Sequence, residues 1–280
     1  MKKGDSPDFP FVILFTDLDG TLLDHLSYEW KDAKPALSLC ARLHVPVVLV
    51  SSKTRAEMDV IRGELGLSSP FISENGGGIF FPAEPGYKFP SGTIFAKDIW
   101  KWSVGVSYDF LVGALKEIRE ELGWNIRGFS EMSPEEISRL TGLAPGAALL
   151  SSKREYDEPF TVTGHGEADI DDLYKAAKSR GLNITSGGRF FHLQGNVDKG
   201  DAVKKIISWY QGYHGKIVSI ALGDSPNDFS MLKRVDYPVL VRSPRDFSGI
   251  EKTIPGLRVT REMGPKGWNT AVLDILRNSV

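Results

Sequence analysis

An α/β core interrupted by an α+β insertion is the fold this sequence predicts, and three observations carry that reading. Four short apolar runs, 11–16 (FVILFT), 45–50 (VPVVLV), 217–222 (IVSIAL) and 238–241 (PVLV), each give way to polar, Gly-rich or charged residues. Runs of this length, rich in Val and Ile, suit strands buried on both faces. Helix-like stretches lie between them, the alternation of a parallel sheet covered on both sides. From about 89 to 195 the pattern changes to helices and short strand candidates without long buried strands, which reads as α+β.

In chain order, the run 11–16 is the first strand and 45–50 the next. Residues 54–65 (TRAEMDVIRGEL) place Met58, Ile61 and Leu65 on one helical face, with Thr54 as N-cap. In the middle segment, helices are expected at 107–122, 133–141 and 168–180, and strands at 147–151, 160–163 and 189–194. Residues 199–212 put Val203, Ile206, Ile207 and Tyr210 on one helical face, and the runs at 217–222 and 238–241 complete the sheet. The expected domains are therefore 1–88 with 196–280 as the core and 89–195 as the insertion.

The 280 residues are 41% hydrophobic, enough for a sizeable core, and carry a net charge of −2, which implies no nucleic-acid partner. The single cysteine, Cys40, lies in an apolar helix-like stretch and reads as a buried structural thiol. No run is long and apolar enough to span a membrane, and the opening MKKGDSPDFP lacks the apolar region of a signal peptide. The expectation is a cytoplasmic protein with no membrane partner, as a monomer or homodimer.

The chemistry starts at FTDLDGTLLD. Asp17 and Asp19 follow directly on the first strand, and ligands of open parallel sheets bind just beyond the carboxyl ends of the strands. A lone pair of carboxylates could merely cap a loop. GDSPND, at 223–228, adds Asp224 and Asp228 after another apolar strand. Converging carboxylates repel one another unless a cation neutralises them, and hard oxygen ligands favour Mg²⁺. Mg²⁺ beside a free carboxylate suggests phosphoryl transfer. Asp17 would attack to form an aspartyl-phosphate, and Asp19 would protonate the leaving oxygen and later activate water. Ser51, with Ser52 beside it, would hold the phosphoryl oxygens, and Lys199 would offset charge as it moves. Taken singly, a strand-end serine is usually a turn residue and a lysine is usually solvated. Their joint placement at successive sheet edges carries the weight.

These four segments, DLDGTLLD, the strand-end Ser51, Lys199 and GDSPND, resemble in order the motifs of the haloacid dehalogenase (HAD) superfamily. SENGGG at 73–78 looks like the Glu-Asn-Gly segment of its Cof-type branch, whose α+β cap is inserted after it. The resemblance implies a Rossmann-like parallel-sheet core with an inserted α+β cap. It also implies Asp17 as nucleophile, Asp19 as acid and base, and Mg²⁺ held by the Asp17 carboxylate, the Asp19 carbonyl and Asp224. Asp228 would orient water on the metal, and Asn227 would help position the phosphate or Lys199.

A narrower resemblance is to the mannosyl-3-phosphoglycerate phosphatase family, through SSKTRAEM, KREYDEPF at 153–160, SGGRFFHLQG at 186–195 and GPKGW at 264–268. It implies a small phosphorylated sugar-glycerate substrate. For such a substrate Arg189 can pair a carboxylate through two parallel hydrogen bonds, and Gly187 and Gly188 permit close backbone approach. Glu155, Asp157 and Glu158 can accept from sugar hydroxyls, and Lys53 can reach the phosphate or carboxylate. The plainer readings are a solvated acidic turn for the 155–158 acids and a half-buried strand position for His192. Rival functions are a phosphatase of glucosyl-3-phosphoglycerate or sucrose phosphate, a phosphomutase, or a module that binds a phospho-sugar without turnover. The intact Asp17, Asp19, Lys199 and Asp224 oppose the last.

Overall fold

The computed structural model describes residues 10–83, 87–96, 98–163, 170–187, 190–245, 247 and 249–278. In chain order the first elements are β1 (Phe11–Thr16), α1 (Lys34–Arg42), β2 (Val47–Val50), α2 (Arg55–Leu65), β3 (Phe71–Ser73), β4 (Gly78–Pro82), β5 (Ile94–Ala96) and β6 (Ile99–Ser103). Then come α3 (Tyr108–Leu122), β7 (Asn125–Gly128), α4 (Pro134–Thr141), α5 (Pro145–Ser151), β8 (Asp157–Thr163), α6 (Ile170–Ser179), β9 (Leu182–Gly187) and β10 (Phe190–Gly195). The chain closes with α7 (Lys199–His214), β11 (Ile217–Gly223), α8 (Phe229–Leu232), β12 (Tyr237–Arg242), β13 (Arg258–Met263) and α9 (Gly264–Asn278). These elements fall into two units, one of Met1–Val50, Ser69–Phe71 and Lys199–Val280, the other of Ser51–Ser68 and Ile72–Asp198. The second unit contains all of 89–195 together with 51–68, 72–88 and 196–198.

In the first unit, five strands run parallel in the order β13-β12-β11-β1-β2. The apolar runs expected as strands become β1, β2, β11 and β12 with shifts of a residue or two. Ile13, Leu14 and Phe15 of β1 have no exposed surface, so both faces of the central strand are covered, as an apolar run without alternation requires. Helices α1 and α9 pack on each other, and α7 and α8 do the same beside β11. Cys40 is buried in α1, and burial pushes its thiol up to about 12, so it is an unreactive core group.

The second unit holds a β4-β6-β5 antiparallel ladder and a four-stranded sheet in the order β7-β8-β10-β9. Apolar residues of α3 and α6 pack with Phe160, Ile184 and Leu193 of that sheet. Helix α2 begins where the sequence places it. The Thr54 hydroxyl accepts from the Glu57 amide, while the Glu57 carboxylate accepts from the Thr54 amide at 2.8 Å, a reciprocal cap. One expected strand is overturned: 147–151 lies within helix α5. Pro145 sits in its first turn and Ala147, Ala148, Leu149 and Leu150 are good helix formers, whereas a short apolar run by itself does not distinguish strand from helix. Among the described residues, no helix is long and apolar enough to cross a membrane.

Candidate active site

Strand register builds the core of the site. Thr16 of β1 lies beside Leu222 of β11, and the Asp17 amide donates to the Leu222 carbonyl at 2.9 Å. Asp17 and Asp224 therefore leave the same edge of the sheet from adjacent parallel strands. Lys199, the first residue of α7, is fully buried there and donates to Asp17 Oδ1 and to Asp228 Oδ1, each at 2.6 Å. Asp228 has no exposed surface. Its Oδ2 accepts from the amides of Asp224 and Ser225 and from the Ser225 hydroxyl, so this carboxylate ties the 223–228 loop to the lysine.

One carboxylate oxygen from each of Asp17, Asp224 and Asp228 lies within 4.8 Å of the other two. Burial, reinforced by the charges of Asp228 and Asp19, raises Asp17 to about 8 against the pull of Lys199. Burial and Asp228 raise Asp224 to about 6. Burial alone would lower Lys199, but the two carboxylates outweigh it and hold its ammonium well above the usual range. With all groups ionised, three carboxylates around one ammonium leave two negative charges uncompensated. A divalent cation fits that donor set: hard oxygens, one excess charge pair, and carboxylates that resist ionising without it. Lys199 takes Asp17 Oδ1, and Asp228 is committed to Lys199 and its own loop, so Asp17 Oδ2 and Asp224 are the groups best placed to hold the ion.

Supporting residues outside the expected set fix this geometry. Gly20 has φ +76°, and a Cβ there would meet Asp224 Oδ2 at 2.5 Å, so only glycine lets the turn after Asp19 approach that carboxylate. The Thr21 hydroxyl reaches Asp224 Oδ1 at 3.5 Å. Trp268, from the GPKGW segment, is fully buried and donates Nε1–H to the Thr16 hydroxyl at 2.9 Å; that hydroxyl donates in turn to the Asp17 carbonyl at 2.7 Å. Asp19 is half-buried, and Asn227 is exposed with its side chain bonded to the Ser225 hydroxyl.

The other expected site residues belong to the second unit. Ser51 is buried, its amide donating to the Ile72 carbonyl and its hydroxyl accepting from the Lys53 amide at 3.2 Å. The SENGGG segment braces this loop: the amides of Glu74 and Asn75 donate to the carbonyls of Lys53 and Ser51. Both residues adopt the left-handed conformation, at φ 46° and 54°, which is costly for Glu and is held by these bonds. The buried Glu74 carboxylate accepts from the amides of Glu155 and Tyr156, so the same segment also fixes the 154–157 loop. Of the acids expected to meet sugar hydroxyls, Glu155 is half-buried and paired with Lys101 at 2.8 Å. Glu158 departs from expectation. It is fully buried, with one oxygen accepting from the Ser130 amide and hydroxyl and the other from the Tyr108 hydroxyl, so it joins α3 and β8 inside the unit. Asp157 is fully buried as well, bonded to Arg154 and His192. Gly188 and Arg189 lie outside the described residues.

Glu74 makes stability depend on pH. Burial, the largest influence, raises it from 4.5 to about 8, against Arg154 and the two amides. Between those values the folded protein keeps a proton that the unfolded chain has released, so stability is lost as pH rises through about 8. Urea unfolding of the wild type and of Glu74→Gln near pH 5 and near pH 8 checks this. The wild type is expected to lose stability relative to the variant over that interval, and a constant difference would contradict it.

The haloacid dehalogenase-like hydrolase family matches residues 14–100 and 160–246. A glucosyl-3-phosphoglycerate/mannosyl-3-phosphoglycerate phosphatase of Methanococcoides burtonii is 40% identical over 94% of this chain and 97% of its own. A mannosyl-3-phosphoglycerate phosphatase of Pyrococcus horikoshii is 35% identical over 82% of this chain and 90% of its own. A crystal structure from Thermoplasma acidophilum has a TM-score of 0.65 at 19% identity, covering 96% of this chain and 99% of that one, a likeness of fold.

Proposed function

Because this chain belongs to the haloacid dehalogenase-like hydrolase family, we propose that it is a cytoplasmic Mg²⁺-dependent phosphatase that hydrolyses mannosyl-3-phosphoglycerate, and its glucosyl counterpart, through an aspartyl-phosphate on Asp17. The observation that carries this reading is the buried Asp17–Lys199–Asp228 chain, with Asp224 beside it at the ends of two adjacent parallel strands. Asp17 and Asp224 would hold Mg²⁺ together with the Asp19 carbonyl. When bound, the ion neutralises the phosphate and lets an anionic nucleophile approach. An Asp17 oxygen attacks phosphorus as the bond to the glyceryl oxygen breaks, and Asp19 gives that oxygen its proton. Asp19 then takes a proton from water, which attacks the aspartyl-phosphate and frees inorganic phosphate and the Asp17 carboxylate. Lys199 balances charge throughout, and Ser51 and Asn227 hold the phosphoryl oxygens.

Selection of the substrate would reside in the cap, 89–195, with Lys53 and Ser52 from the preceding loop. Arg189 and Gly188 would receive the glyceryl carboxylate, and Glu155 and His192 the sugar. Phosphate release from mannosyl- and glucosyl-3-phosphoglycerate, sucrose phosphate and p-nitrophenyl phosphate tests the assignment. The two glycosyl phosphoglycerates are expected to be turned over fastest, EDTA to silence the enzyme and Mg²⁺ to restore it. Full activity in EDTA, or a preference for another ester, would contradict the reading.

The acid–base role has its own test. Asp19→Asn is expected to lower kcat by a factor on the order of 10²–10⁴ with little change in KM, since the proton moves mainly in the transition state. A variant with raised KM and unchanged kcat would remove Asp19 from that role.

A further inference from the structure

Asp157, the first residue of β8, has no exposed surface, yet its Oδ2 gathers two donors: Arg154 Nη1 at 3.2 Å and His192 Nδ1 at 2.8 Å. Arg154 is fixed in turn, donating Nε–H to the Ser151 carbonyl at 2.8 Å and an Nη1 hydrogen to the Ser52 carbonyl at 3.0 Å. The backbone between Arg154 and Asp157 is held as well, because Glu74 accepts from the amides of Glu155 and Tyr156. Gly77 packs so closely on Tyr156 that a Cβ would lie 2.3 Å from its Cβ. His192 sits on β10, antiparallel to β8 and opposite Pro159. Arg154 and His192 both line a cavity of about 140 Å³ within this unit, walled also by Ser52, Lys53, Phe129 and Phe190. Asp157 lies behind that wall.

We infer that Asp157 is a positioning residue that keeps the His192 proton on Nδ1 and so presents Nε2 to the cavity as an acceptor for a substrate hydroxyl. A carboxylate facing a guanidinium is acceptor-only, so the ring atom bonded to it must carry the hydrogen. In a neutral imidazole the other nitrogen is then a bare acceptor. The ring is only partly exposed and forms cavity wall, so Nε2 is the nitrogen left for a ligand. The preferred ligand atom is a hydroxyl that donates, as sugar hydroxyls do; a carboxylate oxygen cannot donate to Nε2. The acid of the EYDEPF segment thus serves the sugar at one remove, and the ring makes the contact. This assignment rests on the phosphorylated-glycoside reading of the substrate.

Nitrogen NMR of the imidazole in the resting wild-type enzyme, without substrate and at a pH where the ring is neutral, reads the tautomer directly. A hydrogen on Nδ1 is expected, and a hydrogen on Nε2 would overturn the inference. Kinetics supply the second arm. Asp157→Asn and His192→Ala are each expected to lower kcat/KM on mannosyl-3-phosphoglycerate about tenfold to a hundredfold more than on p-nitrophenyl phosphate, mainly through KM, the range for leaving a desolvated hydroxyl without its acceptor. In the His192→Ala background, Asp157→Asn should add little to that selective loss, because its effect passes through the ring. Equal losses on both substrates, or fully additive selective losses, would overturn the positioning role. If the wild type turned over no phosphorylated glycoside, the substrate reading itself would fall, while the tautomer would still report on Asp157.

Discussion

Asp17→Asn is expected to abolish turnover, by a factor on the order of 10⁶, the loss seen when a covalent nucleophile is removed. The amide keeps the shape of the carboxylate but cannot form an aspartyl-phosphate. The fold should tolerate it. The exchange removes one of the carboxylates crowded around Lys199, while Asp228 still accepts from the ammonium at 2.6 Å. Urea unfolding of the variant should therefore show stability near that of the wild type, which separates a chemical loss from a folding defect. Rapid acid quenching after mixing with phosphate-labelled substrate gives the complementary measurement. Label should remain on the wild-type protein and be absent from the variant. Near wild-type phosphate release by the variant would end the covalent mechanism.

The second large effect is expected at Lys199, on stability as well as on activity. Its ammonium is fully buried between Asp17 and Asp228, the position in which removing one partner costs most. Lys199→Met fills a similar volume but leaves two carboxylates facing each other away from solvent. A loss of about 3–5 kcal/mol in unfolding free energy is expected, the range for breaking a buried pair by removing one member. Activity should fall with it, because no fixed cation then balances charge as the phosphoryl group moves. Adding Asp228→Asn to Lys199→Met is expected to restore part of the stability and none of the turnover. If the single variant unfolds at wild-type urea concentrations, the buried-pair account of Lys199 is wrong. If the double variant regains activity, the catalytic account is wrong.

The parts of this molecule legible from sequence share one property: the information lies within a few residues. Apolar runs of strand length mark β1, β2, β11 and β12, and charged residues directly after them mark a sheet edge, so Asp17 and Asp224 could be found before any fold was known. Thr54 announces the start of α2 as its N-cap. Where local signals are weak, the fold departs from them. Residues 147–151 carry the same apolar run whether strand or helix, and Pro145 in the first turn decides for α5. KREYDEPF, being charged, reads as acids open to sugar hydroxyls or to solvent. Asp157 and Glu158 are consecutive on a strand, so their side chains point to opposite faces, yet both are buried. Only covering of both faces, with Ser130 and Tyr108 on one acid and Arg154 and His192 on the other, makes that tolerable.

By itself, then, the sequence determined which apolar runs become core strands, the placement of Asp17, Asp19 and Asp224 directly after two of them, Lys199 at the start of a helix, and a carboxylate set suited to a divalent cation. Each follows from periodicity or from residues adjacent in the chain. The tertiary structure alone decided who holds whom. Asp228 braces Lys199 across 29 positions, Trp268 reaches Thr16 across 252, and Glu74 anchors the 155–156 amides 81 and 82 residues away. Such pairings are set by strand register and by burial. A carboxylate in the core lowers its free energy by finding donors wherever the fold brings them, and no spacing along the chain records which ones those will be.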